Sequence, residues 1–184
     1  MPVLISTPRD LFNLRVDEVK ELIKPLRPAP AIHCQFYRHL HGGGKILAAH
    51  DGMPPESDFQ GWHCQTFAKS IWCQYYELWK PFDKGRQWYL DRAYFHLYKT
   101  NLAERKLEQF LCIHSDPNCT DPPPTNTFKS GPHLHILMAE EPIPRCHFPL
   151  NLGHLKSVLS SRLNLTSAFR DAIGVICEDV LIRF

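Results

Sequence analysis

Apolar and polar side chains alternate along residues 86–99 and again along 107–116, and this alternation constrains the fold more than any other feature of the sequence. The alternating sets are Ala93, Phe95 and Leu97 against Tyr94, His96 and Tyr98, then Leu107, Leu111 and Ile113 against Phe110, Cys112 and His114. Successive side chains of a strand point to opposite faces of its sheet, so the pattern predicts two strands joined by a connection over 100–106. A third strand is predicted over 131–139, with His133 and His135 sharing one face.

The first part of the chain predicts helices. The sequence Thr7-Pro8-Arg9-Asp10 has the residues of a helix start, and apolar residues at helical spacing follow over 16–24. Residues 58–79 carry a wide apolar and aromatic stripe at helical spacing. A helix that is apolar over most of its circumference is buried, so this segment predicts a long aromatic helix at the centre of the core.

Two C-terminal helices complete the predicted architecture, one over 152–163 capped by Asn151 and one starting at Thr166 or Ser167. The expected fold class is α+β, with a small antiparallel sheet of about three to five strands packed against several helices. We expect a single domain over 1–184. Its predicted parts are a mainly helical part over 1–80, the sheet with a histidine-rich site over 86–150, and the two helices over 151–184.

Three glycines, Gly42 to Gly44, lie between two short apolar runs within residues 32–49. Glycine supplies the positive φ of a tight turn, so a hairpin is predicted here. A phosphate-binding loop is the alternative interpretation. The Walker pattern is absent, because Ile46 rather than serine or threonine follows Lys45.

Composition narrows the class of protein. The 184 residues have a formal net charge of +2, and dedicated nucleic-acid binders are usually more basic. Seven cysteines are present, and no two have C-x-x-C spacing. The first residues, MPVLISTPRDLF, show no signal-peptide pattern, and no apolar run approaches the roughly 18 residues of a membrane span. We therefore expect a cytoplasmic protein with reduced thiols.

Histidines concentrate in residues 109–150, where His114, His133, His135 and His147 occur. If the three predicted strands lie side by side, one polar face of the sheet carries several imidazoles, with two carboxylates at its rim. The predicted catalytic residues are His114, His133, His135 and Asp116, the predicted substrate-binding residues are Tyr94, His96 and Lys129, and Asp121 is expected at the rim. His114, His133 and His135 are also the predicted ligands of a divalent metal, with Mg, Mn and Zn left open.

Three interpretations of this cluster remain open from the residues alone. The first is a phosphodiester-cleaving site acting on nucleic acid or a nucleotide, with the histidines binding a metal or exchanging protons. In the second, a structural or catalytic zinc is held by the three histidines together with Cys112, Cys146 or His147. In the third, the histidines line an interaction surface of a non-enzymatic protein, for a partner protein or a second copy of the chain.

The segment GPHLHIL, residues 131–137, resembles the histidine–hydrophobe–histidine strand of the rolling-circle replication and relaxase nucleases. In that family the two histidines bind a divalent metal that positions the scissile phosphate, and a tyrosine attacks it. The resemblance implies that His133 and His135 are metal ligands, with His114 or Asp116 as a further one. No tyrosine lies downstream of Tyr98, and relaxases place theirs upstream, where this chain has Tyr75 and Tyr76.

The same segment is similar to half of the motif of the histidine-triad nucleotide hydrolases, but Leu137 stands where their third histidine belongs. Residues 92–160 also resemble small bacterial toxin proteins that pair a strand ending in aspartate with a His-rich strand. These resemblances imply a setting in bacterial defence or mobile elements.

Overall fold

The computed structural model describes residues 2–26, 32–39, 43–51, 62–103, 106–120, 129–136, 146–149 and 155–183. The strands are β1 (Ile5–Ser6), β2 (His33–Arg38), β3 (Lys45–His50), β4 (Cys64–Gln65), β5 (Ile71–Phe82), β6 (Gln87–Asn101), β7 (Lys106–Ser115), β8 (His133–Ile136) and β9 (Cys146–Pro149). The helices are α1 (Pro8–Ile23), α2 (Leu155–Val158) and α3 (Arg162–Val175). A π-helical turn (Ile176–Val180) and a 3-10 turn (Leu181–Arg183) extend α3, and another 3-10 turn (Asp83–Gly85) joins β5 to β6.

All nine strands belong to one antiparallel sheet in the order β2-β3-β5-β6-β7-β8-β9, with β1 pairing with β6 and β4 with β5. The predicted neighbours β6, β7 and β8 do lie side by side. The expected fold class is nevertheless wrong, because the sheet has nine strands rather than three to five. In the described part of the chain only α1 and α3 are long helices, so 1–80 is not mainly helical.

The predicted helix over 58–79 is the largest error. Residues 64–65 and 71–82 are strands, and 58–61 lie outside the described residues. Both faces of β5 are covered, so most of its side chains are buried whichever way they point. A strand that is apolar on both faces loses its period of two, and its tryptophans and tyrosines then fit a helical stripe by chance.

The N-terminal helix starts where its sequence predicts. The Thr7 side chain accepts a hydrogen bond from the Asp10 amide at 3.2 Å, and Pro8 occupies the first turn. At the other terminus Ser161, not Thr166 or Ser167, caps α3, accepting from the Asn164 amide at 3.1 Å. A helix over 152–163 is also wrong: α2 is a single turn, residues 159–161 separate it from α3, and Asn151 lies outside the described residues.

The glycine-rich segment joins two paired strands, as the hairpin prediction requires. His33 to Arg38 of β2 pair antiparallel with Lys45 to His50 of β3. Gly43 has a φ of +71°, which favours glycine. Gly44 is restricted by space, since a Cβ there would lie 2.7 Å from the Trp79 carbonyl oxygen.

The two faces of the sheet have different partners. One face packs on α1 and α3 and forms the main core, which includes Leu47, Tyr75, Trp79, Phe95 and Phe169. The other face holds a smaller apolar cluster on its β3 side, built by Ile46, Ala48, Trp62, Tyr76 and Leu78. The histidines of β6, β7 and β8 lie on this second face, beyond Tyr94. Among the described residues, no helix has the length and apolarity that crossing a bilayer would require.

Candidate metal centre

Strand register assembles the site on the second face of the sheet. In one row across β6, β7 and β8, Tyr94 is opposite His114, which is opposite His133. In the next row, His96 is opposite Cys112, which is opposite His135. Directly opposed side chains on one face have Cβ atoms about 4.5–5.5 Å apart, so five titratable side chains and Tyr94 become neighbours.

Three of these histidines can share one ion. His114, His133 and His135 each offer a ring nitrogen, and the three nitrogens lie within 4.8 Å of one another. His133 and His135 are 1% and 6% exposed, whereas His114 is half-buried. The Nδ1 of His133 is 2.9 Å from the Gly131 carbonyl oxygen, and a carbonyl accepts only, so this nitrogen carries the proton. The lone pair of the neutral ring is therefore on Nε2, the arrangement found in histidines that bind metals.

A second group contains His96, Cys112 and His114, whose ligand atoms also lie within 4.8 Å of one another. The Nε2 atoms of His96 and His114 are 2.8 Å apart, so one of the two rings donates a hydrogen bond to the other. Cys112 is 1% exposed.

A chain of hydrogen bonds determines which ring donates. The Tyr98 hydroxyl donates to the Gln74 side-chain oxygen at 3.0 Å, so it accepts from His96 Nδ1 at 3.0 Å. A neutral His96 with its proton on Nδ1 must accept at Nε2, and His114 is then the donor. Burial, with a smaller effect of His63, lowers the pKa of His96 to about 4, which keeps this ring neutral.

Tyr94 and Asp116 form a hydrogen-bonded pair next to His114. The Tyr94 ring stacks on the His114 ring with centroids 3.8 Å apart, and its hydroxyl donates to Asp116 Oδ1 at 2.7 Å. Burial raises the pKa of Asp116 above its ordinary value, and this effect exceeds the lowering by the Tyr94 hydrogen bond and by the charges of Arg92 and Lys129. Burial and the neighbouring Asp116 raise the pKa of Tyr94, so the phenol is protonated at neutral pH.

The structure thus places together His114, His133, His135, Tyr94 and His96, with Asp116 bonded to Tyr94. The carbonyl of Lys129 accepts a 2.7 Å hydrogen bond from the Asp116 amide, so this lysine is at the same end of β7. Asp121 lies outside the described residues. His147 is paired with His135 in register, but only the backbone of β9 is described.

Sequence reasoning missed Gln74 and Tyr98 as supports of His96. Tyr98 lies two positions from His96 on the same strand, and that spacing alone could have identified it. Gln74 could not be identified while 58–79 was interpreted as a helix. Of the two upstream tyrosines, Tyr75 lies in the main core, whereas the Tyr76 ring is 6.0 Å from the His96 ring on the site face.

The donor set indicates which ions fit. Imidazole and thiolate suit zinc and similar transition metals, whereas Mg²⁺ prefers oxygen ligands and Mn²⁺ tends to as well. The two His/Cys groups could therefore hold a metal ion. Comparison of the chain with protein-family models, with curated proteins and with solved structures finds no match in any of the three.

Proposed function

We propose that the protein is a metal-dependent phosphodiesterase whose ion is held by His114, His133 and His135. The observation that carries this proposal is the convergence of three imidazole nitrogens within 4.8 Å, contributed by two neighbouring strands. Catalytic zinc sites commonly use three protein ligands and keep a fourth position for water or substrate. An ion held here would polarise the phosphate and lower the pKa of the attacking water.

The side chains around the three histidines supply the rest of such a site. The positive charges of Lys129 and Arg92 both lower the pKa of Asp116, so both lie close enough to the site to attract a phosphodiester. The hydrogen bond between His96 and His114 orients the ring of this proposed ligand. Water is the proposed nucleophile, because the raised pKa of Tyr94 keeps its phenol protonated.

The test combines metal analysis with hydrolysis of bis(p-nitrophenyl) phosphate by the purified full chain, with and without added Zn²⁺. We expect His133→Ala and His135→Ala to lose bound metal and more than about 100-fold in activity, since altering even a supporting residue of a metal site costs 10–100-fold. His33→Ala is the matched control. His33 is an exposed histidine on β2, at the far edge of the same sheet, and its loss should leave both readouts unchanged.

Equal background hydrolysis in the wild type and both variants would refute the catalytic proposal. Stoichiometric metal without hydrolysis would also refute it, and would leave a metal-binding interaction protein as the function of the same residues.

A further inference from the structure

We propose that His96, Cys112 and His114 form a second metal position, with Cys112 as a thiolate ligand, beside the first. The three ligand atoms lie within 4.8 Å of one another, and they come from adjacent positions of β6 and β7. Metal binding at this position does not depend on whether the protein hydrolyses phosphodiesters, so the inference goes beyond the phosphodiesterase proposal. The two positions are neighbours that share His114.

The geometry between the two rings already approaches that of a metal site. Two nitrogens bound to one tetrahedral zinc at 2.0–2.1 Å are about 3.3 Å apart. The Nε2 atoms of His96 and His114 are 2.8 Å apart. An ion can therefore replace the proton between them after the rings separate by about half an ångström.

His96 has the supporting contact that a metal-binding histidine needs. Its Nδ1 donates to the Tyr98 hydroxyl, which in turn donates to Gln74, so the lone pair on Nε2 points toward His114. Such outer contacts fix the tautomer and the ring orientation of a ligand. The carbonyl of Gly131 does the same for His133 at the first position.

Cys112 has neighbours unlike those of the core cysteines. It lies between His96 and His135 in register, on the site face. Cys73 is equally buried, at 1% exposure, but it belongs to the main apolar core on the other face. A buried thiol in an apolar core is a small filler, whereas a thiol among imidazoles can release its proton to solvent when an ion binds and coordinate that ion as thiolate.

The experiment is a Co²⁺ titration of the metal-free full chain, followed by optical absorption. Thiolate ligation produces a sulfur-to-cobalt charge-transfer band in the near ultraviolet, which histidine ligands alone do not give. We expect the band in the wild type and in Cys73→Ser, the matched control, and its loss in Cys112→Ser. His133→Ala should keep the band, because His133 belongs only to the first position.

A wild type without the band, or a Cys112→Ser variant that keeps it, would overturn the proposal. Far-ultraviolet circular dichroism checks that Cys112→Ser is folded. Should it not fold, His96→Gln decides the matter: the Co²⁺ affinity that the band reports must fall at least about tenfold, and an unchanged affinity overturns the proposal. Hydrolysis is not measured, so failure here is distinct from failure of the phosphodiesterase proposal.

Discussion

His114 is the side chain that both candidate ligand groups contain. Its ring stacks on Tyr94, its Nε2 bonds to His96, and its centroid is 4.5 Å from that of His135. These contacts come from three strands, so the position of the ring depends on the pairing of β6, β7 and β8. We infer that His114 determines the spacing between the two proposed ion positions.

The first prediction concerns this shared residue. His114→Ala should weaken Co²⁺ binding at both positions, whereas His133→Ala should weaken only the first, because a position with one of three ligands removed loses affinity. Isothermal titration of each variant measures the stoichiometry and the affinity. Unchanged binding in His114→Ala would contradict both metal proposals at once.

The pH dependence of stability provides a second prediction. Burial lowers the folded-state pKa of His96 from 6.5 to about 4, so between these values the unfolded chain binds a proton that the folded protein does not. Stability therefore falls as pH drops from about 6.5 to about 4, and His96 accounts for up to about 3 kcal/mol of this loss.

Replacing the ring isolates this effect. His96→Gln should flatten the curve of unfolding free energy against pH within that window, even if the variant is less stable throughout. Urea unfolding at several pH values measures the difference between the two curves. Parallel curves for the wild type and the variant would show that His96 titrates normally in the folded protein.

A third prediction concerns the Tyr94–Asp116 pair. The phenol hydrogen bond at 2.7 Å favours the charged carboxylate, so it opposes the effect of burial on the pKa of Asp116. Tyr94→Phe should raise the pKa of Asp116 further, as measured by NMR titration of the carboxyl carbon. Tyr76→Phe, which changes a phenol on the same face, is the control and should leave that pKa nearly unchanged.

At the scale of elements, a buried network joins α1, β5 and α3. The Arg15 and Glu77 side chains are both 0% exposed and form an ion pair. Glu77 also accepts from the Tyr75 hydroxyl at 2.5 Å and from Trp79 Nε1 at 2.8 Å, and Arg15 donates to Thr166 of α3. Burial alone would raise the pKa of Glu77, but the Arg15 charge and these hydrogen bonds lower it overall, so the carboxylate stays charged.

The fourth prediction follows from the burial of this pair. Arg15→Met leaves the Glu77 charge buried without its cation, which should cost about 3–5 kcal/mol of unfolding free energy. The matched control is Lys24→Met, which removes an exposed i,i+3 pair with Glu21 from the same helix and should cost less than about 1 kcal/mol. Urea denaturation measures both. Similar small losses in the two variants would mean that the network contributes little to stability.

The elements differ in how far the sequence could predict them. The strands β6, β7 and β8 were predictable because one face of each strand is apolar and the other is polar. The alternation of side chains along a strand then assigned His96, His114 and His133 to the polar face. Strand β5 was not, because its second face is covered by aromatic side chains. The buried Arg15–Glu77 pair could not be predicted from the sequence either, because it depends on the packing of α1 over β5, and no local sequence pattern encodes that contact.

At the scale of the whole molecule, the two faces of the sheet have different roles. The helices and the main core lie against one face, and the proposed ligands lie on the other. The adjacency of β6 and β7 was predictable from their short connection, and β8 was placed beside them as the simplest arrangement, although residues 116–132 separate it from β7. The position of β2, β3 and β5 in the same sheet was not predictable, because it required recognising β5 as a strand. The number of strands was underestimated for that reason.

The fifth prediction concerns the cooperativity of this sheet. Strand β6 spans 15 residues and pairs with β1, β5 and β7, whereas β2 lies at one end of the strand order. The amides of β6 should therefore exchange with solvent most slowly, near the free energy of global unfolding, and those of β2 faster. Hydrogen exchange followed by mass spectrometry measures this order. Equal protection of β2 and β6 would contradict it.

The strand that carries His133 and His135 is only four residues long, and it pairs with β7 on one side and with β9 on the other. So short a strand pairing has few hydrogen bonds of its own, and an ion bound by His114 together with His133 and His135 would add a cross-link between β7 and β8. Thermodynamic linkage gives the size of this effect: an ion at 100 times its dissociation constant adds about 2.7 kcal/mol to stability. The metal concentration would then set the stability of the pairing between β7 and β8 as well as the occupancy of the site.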